Sequence, residues 1–311
     1  VSTTGSAAGC RRNRGALHDE RKLGKMGKKY KPTSTKELRE LLEKDVRLGD
    51  IDTSLITDMT ELFLRSKRKN FDGLETWDTS NVTTMKGMFC YAKYFNHPIE
   101  CWDVSKVGDM SRMFSEASAF DQPLEGWDVS NVRNMESMFA SARSFNRPLE
   151  GWNVSNAENM RCMFYYAKSF NRPLNSWNVS KVRDISCMFC GAQSFDQPLD
   201  EWDTSSVTDM GMTFSMCPEF DQNIDSWDTS KVEDMSGMFA KAARFNQPLN
   251  SWRTGGVRDM SGMFRGASSF DRPLDKWDVS RVETAEKMFS DAVSFSRPLD
   301  TWQISRACNV N

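Results

Sequence analysis

Ten tryptophans recur at Trp77, Trp102, Trp127, Trp152, Trp177, Trp202, Trp227, Trp252, Trp277 and Trp302, and every interval is 25 residues. A register this long, with no insertion or deletion, means that one small design is repeated, so conventional domains cannot be counted from the 311 residues. With each Trp as position 0, the unit reads W-D-V/T-S-x-V-x-D/N-M-x-x-M-F-x-x-A-x-x-F-N/D-x-P-L-x-x, most cleanly in residues 127–151. Positions 12 and 18, with Phe63 and Phe71, account for all 20 Phe, and 15 of the 19 Met sit at positions 8 and 11. The aromatic and sulfur wealth is therefore one repeated apolar set, not the lining of a single large pocket.

The period then selects an architecture. Paired-helix repeats need roughly 33 to 47 residues and leucine-rich coils about 20 to 29. Pro at position 21 in eight of nine units forbids a continuous helix. These features point to a leucine-rich-repeat-like solenoid, each coil holding a short parallel strand around Trp-Asp-Val and a helical turn from position 8 to position 15. Asp or Asn at position 7 is the expected N-cap of that turn, and Asn or Asp at position 19 an expected corner. Nine coils at a strand spacing of roughly 4.8 Å would give a rod of roughly 45 Å.

The flanks extend the plan. Residues 1–31 read as a basic arm, 32–50 as a capping helix started by Ser34 or Thr35, and 51–76 as a divergent capping repeat with Ile51 in the Trp place. Residues 77–301 hold nine repeats, and 302–311 a truncated final coil whose open layer invites a partner or further chain. Thr213, Cys217, Pro218, Asn223, Arg253, Gly255 and Ala285 break the pattern locally and are expected to bend the rod or mark a contact.

The segments FNRPLNSWNVSKVRDISCMF, FNQPLNSW and WDVSNVTTMKGMF, preceded by KYKPTSTKELRELL, resemble the 25-residue BspA-like repeats of the leucine-rich-repeat superfamily, first grouped from Mycoplasma surface lipoproteins. The resemblance spans about residues 30–311. It implies a right-handed solenoid used for adhesion or protein contact, and it brings no catalytic residues.

Chemistry outside the repeat is sparse. The Asp column at position 1 suggests calcium but is interrupted by Asn153, Asn178 and Arg253, so turn capping is the expected role. Cys162, Cys187 and Cys190 are the candidate metal ligands, since Cys162 and Cys187 occupy the same repeat position one coil apart and Cys190 completes a CxxC. A zinc site wants four ligands, and Tyr165 stands where the fourth would be, so free thiols and no cofactor are expected. Only His18 and His97 are present, and no nucleophile is paired with a base, so an enzyme is not expected.

Charge is divided unevenly. Of the net −2, residues 1–31 contribute +7, leaving an acidic body. Arg11, Arg12, Arg14, Lys28 and Lys29 are candidate contacts for an anionic surface or nucleic acid. The Arg- and Ser-rich start is transit-peptide-like, favouring an organelle (plastid or mitochondrion) over the cell surface, and no apolar run approaches membrane-spanning length. Tyr91, Tyr94, Tyr165 and Tyr166 lie at variable positions and are candidate interface residues. The expected function is a non-enzymatic protein–protein interaction scaffold, an accessory subunit that bridges or stabilises a larger assembly, with an organellar complex as its expected setting. The alternatives are a cell-surface adhesion protein and a nucleic-acid-contacting protein.

Overall fold

The computed structural model describes residues 27–302. The chain is a tandem array in which each unit lies on the next. One residue per unit, at position 7, forms a parallel β-bridge with its counterpart, from Asp58–Thr84 through Asp259–Thr284. Position 6 amides donate to the position 6 carbonyl of the preceding coil, as Gly108 does to Thr83 (2.9 Å) and Arg133 to Gly108 (2.9 Å). The expected strand at Trp-Asp-Val is replaced by this single-residue ladder, because the Asx-turn at position 1 bends the chain there: Asp103 Oδ1 accepts the Ser105 amide at 3.0 Å, and Asp128 the Ser130 amide at 3.0 Å.

The expected helical turn is also replaced. Positions 10 and 14 have left-handed backbone in every coil, as at Arg112 (φ 57°) and Glu116 (φ 59°), which no right-handed helix tolerates. Amides of positions 8, 10, 12 and 14 donate instead to the next coil, as Met110 to Asn134, Arg112 to Glu136, Phe114 to Met138 and Glu116 to Ala140. Carbonyls of positions 8, 10 and 12 close successive four-residue turns within the coil. Position 7 still caps, since Asp109 Oδ1 accepts the Ser111 amide at 2.8 Å, but it starts a ribbon of turns.

Between the ladders lies the apolar core. Position 12 and 18 rings pair face to face within a coil (Phe114–Phe120, 4.0 Å) and stack on the next (Phe114–Phe139, 5.6 Å). From Trp127 on, each indole Nε1 donates to the position 22 carbonyl two units back in the repeat, as Trp177 does to Leu149 (2.9 Å). Position 19 makes a further ladder: Asp121 Oδ1 accepts the Asn146 amide, and Asn146 Oδ1 the Asn171 amide. Polar departures in the coil of Trp202 are absorbed in the same way, with Thr213 Oγ1 donating to the Met210 and Ile185 carbonyls and Cys217 Sγ to the Phe189 carbonyl.

One α-helix is present among the described residues: α1, Thr35–Glu43, whose N-cap Ser34 accepts the Glu37 amide. Leu38 is buried and Leu41 and Leu42 pack partly on the core, so α1 covers the N-terminal layer as its apolar spacing suggests.

Candidate interaction surface

The ribbon of turns carries the side chains that differ from coil to coil. Each sits one bridge spacing from its counterpart, so coils place unlike groups in straight rows. In the first rows Tyr91 and Tyr94 are 44% and 55% exposed. The Arg65 guanidinium lies 5.6 Å from the Tyr91 ring centre and Lys69 Nζ 5.3 Å from that of Tyr94. Such contacts at exposed sites are worth about 0.5–1 kcal/mol. Lys67, Lys93 and Leu64 are exposed beside them, while Arg68 turns away to pair with Asp45. Reading the repeat alone misses Arg65, Lys67 and Lys69, because they belong to the divergent unit; the KRK run at 67–69, in a unit one residue longer than the others, is the signal that could have found them.

Tyr165 and Tyr166 form a separate pair, three coils further on, with rings edge to face at 4.7 Å. Both are half-buried. The Tyr166 ring lies flat over Gly191, where an added Cβ would come within 2.9 Å of it, and its hydroxyl donates to Met216 Sδ at 3.4 Å. The four tyrosines thus form two sites: one open and cationic, the other folded against its neighbours.

Cys162 and Cys187 occupy the same position of adjacent coils, and Arg161 precedes Cys162 in the chain. A hydrogen bond from the Cys187 thiol and the Arg161 charge hold Cys162 down to about 7 against its burial, while the same bond, then burial, pushes Cys187 up. Burial raises Cys190 to about 11. Among the described residues no group of three or more His, Cys, Asp or Glu is arranged to hold a metal ion. Cys90, Cys162, Cys187, Cys190 and Cys217 are free thiols, whereas Cys101 is disulfide-bonded, which departs from the expectation of free thiols throughout.

The last residues of the basic segment 1–31 pack on the capping coil. Tyr30 bridges Ile51, Lys31 pairs with Asp52 at 3.2 Å, and Lys28 Nζ donates to Thr76 Oγ1 at 2.8 Å, so Lys28 is docked on the capping coil. Lys29 Nζ stands 5.1 Å from the Tyr30 ring centre. Arg11, Arg12 and Arg14 lie outside the described residues. No helix among the described residues is long and apolar enough to cross a membrane.

A family model described as "Mycoplasma protein of unknown function, DUF285" matches residues 34–145, 102–200, 122–226 and 210–311. No curated protein matches the chain.

Proposed function

We propose, from the premise that the chain belongs to the DUF285 family, that it is a non-enzymatic scaffold of the BspA-like leucine-rich-repeat kind, an accessory subunit that holds a partner protein within a larger assembly. The exposed tyrosine pair Tyr91 and Tyr94, bracketed by Arg65 and Lys69 on a rigid frame, is the observation that carries this reading. Nearly everything else in the repeat is used internally: Trp, Phe and Met fill the core, and Asp, Asn, Thr and Gln join coil to coil. Tyr and Arg are enriched at protein interfaces because a large amphipathic body is ordered at small entropic cost. The surrounding cations suit an acidic partner surface.

The test is purification of the native assembly, cross-linking to identify the neighbour of the Tyr91 patch, and comparison with the Tyr91→Ala/Tyr94→Ala double variant. The variant should lose its partner while melting at the same temperature. Retention of every partner would remove the patch from the interface. A second reading, contact with nucleic acid, is favoured by the exposed Arg65, Lys67, Lys69 and Lys93; a steep salt dependence of binding to an oligonucleotide would select it.

A further inference from the structure

Cys162 and Cys187 occupy position 10 of consecutive coils, both with left-handed backbone (φ 55° each) and both half-buried. The coils are locked in register at this point, since the Cys162 amide donates to the Ser186 carbonyl (2.9 Å) and the Cys187 amide to the Gly211 carbonyl (2.8 Å). Residues paired across such a ladder are roughly 4.8 Å apart, inside the Cα separation of about 4.4–6.8 Å that a disulfide spans without backbone movement. Position 10 is otherwise Gly, Arg, Ser, Met or Lys, so this is the one place where the register sets two thiols side by side in that row.

We infer that Cys162 and Cys187 form a modification site for hydroperoxides, at which oxidation joins the two sulfurs and staples the coil of Trp152 to the coil of Trp177. The Cys162 thiolate, held by the Cys187 thiol and the Arg161 guanidinium against the opposing charge of Glu136, is the attacking sulfur. It attacks one peroxide oxygen, the O–O bond breaks, and the other oxygen leaves as hydroxide, giving a sulfenic acid at Cys162. Cys187 then gives up its proton and attacks the Cys162 sulfur. The S–O bond breaks, water leaves, and an S–S bond remains. Two thiols and one hydrogen peroxide become one disulfide and two waters; sulfur is oxidised and peroxide oxygen reduced. Cys190 lies one turn along from Cys187 but is buried, with its thiol pushed up by burial, so it stays reduced.

The experiment treats the reduced full chain with stoichiometric hydrogen peroxide, caps remaining thiols with N-ethylmaleimide, and maps tryptic peptides without reduction. Cleavage after Arg161 and Lys168 isolates Cys162 from every other cysteine. The expected product joins that peptide to the one starting at Asp184, through Cys187, with a mass loss of two hydrogens. Cys162→Ser should abolish the cross-link and slow thiol loss at least about tenfold; Ser137 holds the equivalent position one coil earlier with the same left-handed backbone (φ 56°), so the variant is compatible with the fold. A Cys187–Cys190 link, an unlinked sulfinic acid at Cys162, or an unchanged rate in Cys162→Ser would overturn the assignment.

Discussion

Trp177 shows why position 0 is tryptophan and not another large apolar residue. Its ring is buried, and its Nε1 satisfies the Leu149 carbonyl at 2.9 Å in a place closed to water. Trp177→Phe keeps most of the apolar body and removes one of the two bonds to that carbonyl, which still accepts the Trp152 amide at 3.0 Å, for an expected loss of about 0.5–1.5 kcal/mol; Trp177→Ala should lose about 3–5 kcal/mol. Urea unfolding of the two variants separates the bond from the volume. Asp209 gives a prediction of opposite sign. Burial, then the carboxylates of Asp184 and Asp234 one coil to either side, push it above the usual carboxylate value, opposed by the Gly211 amide bond. A carboxylate raised on folding costs stability once ionised, and that cost disappears as pH falls below its unfolded value. Asn keeps the Gly211 bond, as Asn134 does for Glu136, so Asp209→Asn should stabilise by about 0.5 kcal/mol at neutral pH and by nothing below roughly pH 3.5. Thermal melts at the two pH values check it.

The ribbon of turns is the element that sequence pattern leaves least legible. Met at positions 8 and 11, Phe at 12 and Ala at 15 all face the core in the structure, and the same spacing fits one side of a helix. What decides against the helix is the left-handed backbone at positions 10 and 14, and its usual marker, glycine, is present only at Gly87, Gly237, Gly262, Gly191 and Gly266. Elsewhere Arg, Ser, Cys, Met, Lys, Tyr, Glu or Asp take these places, so the signal is diluted below recognition. Forcing an L-residue there costs roughly 1–2 kcal/mol. Ser137→Gly should therefore stabilise by about 1 kcal/mol, read as a raised denaturation midpoint with an unchanged slope. The core columns, the cap at Ser34 and the Asx-turn at position 1 were legible, because each depends on residue chemistry repeated in register. The cationic bracket over Tyr91 and Tyr94 was not, since Arg65 and Lys69 reach them from the coil before, across a contact that linear spacing does not display.

For the whole molecule, each coil touches chiefly its two neighbours, and stability approximates a sum of coil and interface contributions. Removing residues 127–151 would set Asp121 against Asn171 and Asp109 against Asn159, contacts of the kind already made between Asn146 and Asn171 or Asn134 and Asn159. That variant should fold, melt in one transition and show a smaller urea slope in proportion to the lost surface. Removing residues 127–139 instead breaks the 25-residue register at one junction while the coils on either side keep their own ladders, and should split the urea transition in two. The stacked indoles carry a further consequence. Trp152–Trp177, Trp202–Trp227, Trp252–Trp277 and Trp277–Trp302 lie nearly parallel at 6.0–6.4 Å, close enough for an absorbed photon's energy to pass from one ring to the next. A quencher bound at the coil of Trp277 is therefore expected to dim Trp252 and Trp302 as well.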